Sequence, residues 1–309
     1  MLSSAPMRTT WLLALALVAG CKGQGAPDPT AASASAVASV PSPPASASNR
    51  VAATGTPLPP EKVAAVVNPK GAAPYAGPSG TLKGTIRIKG DPPPATEHKF
   101  PADKCGEAAA TYGKLFRVGQ GGTLADAMVT VTEYEGYVPP AEDAEKITIH
   151  GCALARRTMA VTFGQRVEIY NLDKLESYLP YLDGATFRAM LVAVPGGDGV
   201  RYYPHEPGHY MLRDQLPKPF MTADVFVLKY ATHDVTGLDG QYEIKGIPVG
   251  KVRVDAFLPA TGESSGQHIE IKEGDNTLDL MLPFSLAKHK KEREKKPAPP
   301  PPAKLEPKG

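Results

Sequence analysis

Two histidines flanking a glutamate, His205-Glu206-Pro207-Gly208-His209, have the spacing that points most directly to chemistry. On a helix, imidazoles four residues apart share a face, grip a zinc ion and leave the glutamate as general base. Pro207 and Gly208 between them oppose a helix, and Tyr202-Tyr203-Pro204 ahead of them reads as extended chain. The expectation is a surface loop whose histidines, His205 and His209, are weak candidates for adventitious metal binding, with no resident cofactor. Neither a Gly-x-Ser-x-Gly nucleophile elbow nor a Gly-x-x-x-x-Gly-Lys phosphate loop occurs. Glu133, Glu135, Glu142 and Asp143 cannot be paired as general acid and base from spacing. The sequence predicts a protein that is not an enzyme.

The second group with chemical capacity is aromatic: Tyr170, Tyr178, Tyr181, Tyr202, Tyr203 and Tyr210. On exposed loops such rings stack on sugars or make protein contacts; inside a sandwich they plug its ends and satisfy their hydroxyls internally. A ligand surface, if the loops carry one, is expected at Tyr178, Tyr181, Tyr202 and Tyr203.

The elements that position these groups are strands. No helical period longer than two turns stands out, whereas period-two alternation recurs. Leu82, Gly84, Ile86 and Ile88 alternate with charged neighbours; Ala127, Val129 and Val131 form another strand, and Ile147 and Ile149 another. Met159 to Phe163, a Gly164-Gln165 turn and Val167 to Tyr170 read as a hairpin. Ala223 to Tyr230 reads as a fully buried strand. In the stretch from Val235 to Phe257, Tyr242 and Ile244 alternate with polar residues, Gly246-Ile247-Pro248-Val249-Gly250 turns the chain, and Val252, Val254 and Ala256 alternate again. Period two on both sides of that turn predicts a half-buried β-hairpin. The fold class is all-β.

The Asp239-Gly240 turn, the aromatic strand and the Ile-Pro-x-Gly corner resemble carboxypeptidase-regulatory-like, or transthyretin-like, β-sandwich modules. The likeness covers Val235 to Leu282, with Thr81 to Lys89 a candidate additional strand, and implies a fold without naming a ligand. A second resemblance spans Cys152 to Met221. The strand to Val161, the Gly164 to Ile169 strand, Asn171-Leu172-Asp173, the Pro207 to Tyr210 strand and the Pro219-Phe220-Met221 turn are similar to secreted, plastocyanin-like cupredoxins, and imply a Greek-key sandwich. In that family a histidine soon after Asn-x-Asp, a cysteine and second histidine in the later loop, and a methionine bind copper. Only Met221 has a counterpart, since 174–182 holds no histidine and 212–220 neither cysteine nor histidine. A blue-copper site needs a thiolate and two imidazoles, so the resemblance carries over the fold and not the metal.

The N-terminus reads as an address. Arg8, an apolar run from Trp11 to Ala19, and Leu17-Val18-Ala19-Gly20-Cys21 resemble a bacterial lipoprotein signal with its lipobox. The run is shorter than the about 20 residues of a spanning helix. The resemblance implies cleavage before Cys21, acylation of Cys21 and an anchor in the cell envelope, with the outer membrane favoured by Lys22. With Cys21 lipidated, Cys105 and Cys152 are the other two of three cysteines; an even pair in an oxidising compartment is expected to form a disulfide rather than a ligand set. The chain of 309 residues has 33 Pro and 30 Gly and a formal charge of +2, too near neutral to attract polyanions globally.

The expected organisation is a signal peptide (1–20), an Ala/Ser/Pro-rich disordered tether (21–78), a cupredoxin-like sandwich lacking copper ligands (79–231), a carboxypeptidase-regulatory-like module (232–284) and a basic, Pro-rich tail (285–309), with a short charged helix over 288–296. The expected partners are the membrane, through the lipid, and an envelope protein or polysaccharide; nucleic acid is excluded. The function expected is binding or structural, with carbohydrate or cell-wall polymer binding as one alternative and a metal or redox role as another.

Overall fold

The structure, a computed structural model, describes residues 55–101, 103–185, 189–216 and 218–295. The signal segment, the lipobox with Cys21, most of the tether and the proline run of the tail lie outside the described residues. In chain order the elements are α1 (Pro60–Val67), β1 (Ser79–Gly90), α2 (Ala108–Tyr112), β2 (Met128–Thr132), β3 (Ala144–His150), β4 (Ala153–Leu154), β5 (Thr158–Thr162), β6 (Arg166–Asn171), β7 (Pro180–Asp183), β8 (Val200–Tyr202), β9 (Gly208–Asp214) and β10 (Thr222–Leu228). They continue with β11 (His233–Val235), β12 (Gln241–Pro248), β13 (Gly250–Leu258), β14 (Glu263–Ile271), β15 (Gly274–Thr277), β16 (Leu280–Phe284) and α3 (Leu286–Lys295).

The strands form two sandwiches, each around its own apolar core. In the larger one, a sheet ordered β4-β3-β6-β8 faces a sheet ordered β5-β10-β9-β7. The β3–β6 and β5–β10 pairs are parallel and the others antiparallel. In the smaller one, β11-β2-β13-β14 faces a sheet in which β1 pairs antiparallel with β12 and, on its other edge, parallel with β15 and then β16. Strand pairing does not follow chain order: β1 and β2 precede the larger sandwich in sequence yet sit in the smaller core, so 79–231 feeds both. Counted by strands, the chain crosses between cores after β2 and again between β10 and β11, and α1 and α2, which flank β1, pack on the larger core.

Both expected hairpins are corners instead. β5 and β6 lie in opposite sheets of the larger sandwich, and β12 and β13 in opposite sheets of the smaller. Alternation reports that one face of each strand is buried, as for Tyr242, Ile244, Val252 and Val254. It does not report which strand supplies the hydrogen bonds. Each corner is pinned from within: Ile247 is fully buried, and Gln165 accepts from Thr162 N at 2.6 Å and donates to Glu142 O at 2.7 Å. The Asp239-Gly240 turn needs its glycine, which has φ +70° and where a Cβ would lie 2.6 Å from Ile86 O.

The fully buried strand is β5, not β10. All five β5 residues are buried, whereas β10 alternates. β5 is an edge strand of the larger sandwich that also packs against β11 and β2 of the smaller. Beside it Phe226 meets Phe257 edge-on at 5.9 Å between centroids. Arg117 grips Asp126 through two bonds of 2.7 Å, and Asp126 also accepts from Arg157 N at 2.7 Å, which fastens the strand leading into β5.

From Gly55 onward the segment read as tether belongs to the folded head. α1 is too short to persist alone, but Val63, Val66 and Val67 pack on the larger core, and Gly55 N donates to Arg201 O at 2.7 Å. Cys105 and Cys152 form the expected disulfide, with Cα atoms 4.8 Å apart and a sequence separation of 47. Closing a loop of that size is worth about 4 kcal/mol on the chain-entropy model. No helix among the described residues is long and apolar enough to cross a membrane.

Candidate functional site

The HEPGH segment is not helical. Residues 205–207 form a bend and Gly208 opens β9, so the two imidazoles do not share a helical face. His209 points across the sheet to β10, where Nε2 lies 2.7 Å from Asp224 Oδ1 and the ring stacks on Phe226 at 4.5 Å. Burial pushes the Asp224 carboxyl up, against the pull of His209 and Arg157. Glu206 is exposed, and its carbonyl accepts from the Tyr210 hydroxyl at 2.8 Å. No group of three or more His, Cys, Asp or Glu side chains suited to a metal occurs among the described residues. The geometry at His209 is that of cross-strand packing, and His205 and His209 do not form the helical pair that the spacing alone would suggest.

The end of the larger sandwich where the cupredoxin resemblance would put copper is built from the loops after β6 and β9. Asn171, at the end of β6, organises the first. Its Nδ2 donates to Glu176 O at 2.7 Å and Ala193 O at 2.9 Å, and its Oδ1 accepts from Asp173 N at 2.9 Å. Asp173 in turn accepts from Gly151 N at 2.8 Å and from the Tyr178 hydroxyl. That hydroxyl also accepts from Cys152 N at 3.2 Å, so the Asn-x-Asp loop is tied to the disulfide corner. Tyr178 is fully buried, and burial together with the Asp173 bond pushes its phenol far up.

The second loop brings in Asp214 and Lys218. Asp214 Oδ1 accepts from Leu179 N at 2.8 Å and Leu216 N at 3.3 Å. The Lys218 ammonium lies 4.9 Å from the Tyr178 ring centroid, 3.7 Å from Glu176 and 4.0 Å from Asp214 Oδ2. Burial raises the Asp214 carboxyl, opposed by its backbone bonds and by Lys218. Met221 is packed in the apolar core. The side chains here are a phenol, three carboxylates and an ammonium, with neither thiolate nor imidazole, and this donor set does not fit a blue-copper ion.

Two of the four tyrosines expected at a ligand surface are core residues. Tyr178 fills the sandwich end, and Tyr202 is buried with its hydroxyl on Pro180 O. Tyr181 and Tyr203 are half-buried. An aromatic flanked by strand residues cannot be assigned inward or outward until the partner sheet is known. What this end does expose is aliphatic: Leu172, Leu175, Met190, Val192 and Val194. They sit on two segments joined by the Tyr178–Ala193 bridge and by Gly196 N donating to Asn171 O at 3.0 Å.

Sequence reasoning missed a different group. A cleft of about 620 Å³ is lined by Val67 to Lys70 and Ala72 after α1, by Tyr134 to Val138, and by Lys229 and Tyr230. Its aromatic residues come from the two crossings between cores, 95 positions apart in sequence from Tyr134 to Lys229, and only the crossing of β2 into the smaller sandwich joins them. The one local signal is the Tyr134-x-x-Tyr137 pair beside a glycine.

No family model and no curated protein matches this chain. Among solved structures it is similar to amicyanin from Paracoccus versutus, 19% identical, covering 32% of this chain and 96% of that one with a TM-score of 0.24. It is also similar to a reduced amicyanin mutant at 19% identity, covering 32% and 97%, with a TM-score of 0.24. A Cu-containing nitrite reductase from Thermus scotoductus SA-01 is 15% identical with a TM-score of 0.23, covering 31% of this chain and 24% of the reductase, so the chain spans about a quarter of that protein's length.

Proposed function

We propose that this is a non-catalytic, lipid-anchored protein of the cell envelope, with the outer membrane favoured, whose degenerate cupredoxin-like sandwich and transthyretin-like module present binding surfaces at the membrane. The observation that carries the reading is the filled end of the larger sandwich. There Lys218 places an ammonium among Glu176, Asp214 and the Tyr178 ring, and that charge opposes a metal ion in the same space. The exposed Leu172, Leu175 and Met190 at that end support a contact role. An acylated Cys21 would hold these surfaces at high local concentration beside other envelope components.

The test is fractionation with metabolic acyl labelling of the full chain and Cys21→Ala. The wild type is expected in the membrane fraction and labelled, with Cys21→Ala soluble and unlabelled. A Cys21→Ala chain that stays in the membrane fraction would sink the anchor.

A further inference from the structure

The cleft between the two chain crossings has the build of a binding site. Its volume of about 620 Å³ falls in the range of about 300–1,000 Å³ for small-ligand sites, which favour the junctions between domains. Three half-buried tyrosines form its walls, and each is held by the protein. The Tyr134 hydroxyl lies 3.0 Å from Thr232 Oγ1, whose own proton goes to Val131 O at 2.6 Å. Tyr230 is fixed through its main chain, where its carbonyl accepts from the Thr162 hydroxyl at 3.3 Å. Tyr137 is fixed through its main chain, where its carbonyl accepts from Tyr75 N at 2.7 Å.

The loops carrying these rings are equally constrained. Glu133 and Gly136 have φ of +64° and +102°, and a Cβ on Gly136 would lie 2.8 Å from Tyr75 Cδ2. Left-handed backbone at a non-glycine residue is strain, and it gathers at ligand sites. Opposite, Asn68 closes the 68–72 turn by donating to Ala72 O at 2.8 Å and accepting from Ala72 N at 2.9 Å. Rings and turns already ordered lose little entropy on binding.

The polar groups, by contrast, are uncommitted. Among the described residues the Tyr137 hydroxyl has no hydrogen bond, and Lys70, Lys229 and Glu135 have no ion-pair partner. A second open cleft, lined by Lys83, Asp234, Glu243 and Asp279, differs in this respect. There Asp234 takes Glu243 N at 2.8 Å, Asp279 takes Thr85 N at 2.8 Å, and Lys83 and Lys245 pair with Glu243.

Phenol faces held at a cleft wall fit the C–H faces of sugar rings, with a free hydroxyl and a carboxylate left for sugar hydroxyls. Two unpaired ammoniums against one carboxylate add a demand for negative charge that a neutral sugar does not meet. We propose that this cleft binds an acidic glycan, a saccharide whose pyranose rings carry carboxylates; this rests on the reading of the chain as an envelope binding protein and names its ligand class.

The experiment is calorimetric titration of the full-length chain with oligogalacturonate, with a muropeptide whose muramic acid bears a lactyl carboxylate, and with neutral cello-oligosaccharide. At least one acidic probe is expected to bind tenfold or more tightly than the neutral one. Tyr137→Ala should cost tenfold or more, and Lys70→Ala with Lys229→Ala should bring the acidic probe down to the neutral level. Which acidic probe binds separates a uronic-acid polymer from cell-wall glycan. Silence of both acidic probes at millimolar concentration, equal binding of the neutral probe, or variants that bind as wild type would each overturn the site. Tyr137→Phe separates lost stacking from lost hydrogen bonding in a chain that folds identically. A glycan-silent chain whose wild type still partitions to membranes refutes the cleft alone and leaves the anchoring intact.

Discussion

The filled end of the larger sandwich and the cleft between the sandwiches contain the same kinds of side chain and use them in opposite ways. At the filled end the buried Tyr178 bonds Asp173, Asp214 Oδ1 takes two backbone N–H groups, and Lys218 lies over the Tyr178 ring and 4.0 Å from Asp214 Oδ2, which has no hydrogen bond of its own. In the cleft Tyr134, Tyr137 and Tyr230 are anchored by hydrogen bonds of side chain or main chain but keep ring faces unspent, and the exposed Lys70 and Lys229 lie beside them. The contrast separates residues that make a fold from residues that await something. Satisfied polar groups in a core specify structure; polar groups held in place but unsatisfied are what a ligand recognises.

The contrast can be broken first at its structural pole. Tyr178→Ala should cost about 3–5 kcal/mol in denaturant unfolding, because it opens a cavity and strands Asp173 and Cys152 N. A loss below about 1 kcal/mol would mean that the end is not load-sharing with the core.

The junction gives the next effect. His233, on β11 beside β5, has Nε2 3.2 Å from Thr162 Oγ1, and burial pushes its imidazole down to about 4 from 6.5. The unfolded chain takes up this proton between pH 6.5 and 4 while the folded chain does not. The stability contribution is therefore complete above pH 6.5 and is lost as the pH falls toward 4, by about 3 kcal/mol in total. The difference in stability between wild type and His233→Gln should follow that window; a difference flat across it would contradict the burial.

Lys218→Met is expected to cost about 1–2 kcal/mol at neutral pH by leaving Asp214 without its ammonium. The cost should shrink toward acid, because burial already raises the Asp214 carboxyl and its protonation removes the uncompensated charge. At the binding pole the stability effect is smallest. Tyr137→Ala should change unfolding by less than about 0.5 kcal/mol, as for a substitution that breaks no internal bond of the side chain. A Tyr137→Ala cost of several kcal/mol would place it with Tyr178 and erase the distinction.

Much of the architecture was legible because burial leaves a period. The alternation at Leu82 to Ile88, Val129 to Val131 and Val252 to Ala256 marks strands that the structure contains. Two cysteines predicted the disulfide, and Pro207-Gly208 predicted that the zinc-like spacing would not be a helix. What alternation cannot encode is the partner. The sheet crossings at Gly164-Gln165 and at Pro248-Val249 looked like hairpins because either topology buries the same face. The double-sided burial of β5 arises from the neighbouring sandwich, which Thr158 to Thr162 do not announce. Tyr178 and Tyr202 could be named only as candidates for a ligand surface or for plugs of the sandwich end for the same reason, and the 620 Å³ cleft was invisible because tertiary pairing of β2 with β11 brings its walls together.

The proposed reading turns on the end of the larger sandwich being filled by its own side chains, Tyr178, Lys218, Asp214 and Asp173, and holding no copper. Equilibrium dialysis of the full chain against Cu(I) and Cu(II), with bound copper counted per chain, tests this most directly. The account predicts no stoichiometric copper, and no gain or loss on Met221→Leu or Asp214→Asn. One tightly held copper per chain that disappears with Met221→Leu would contradict it.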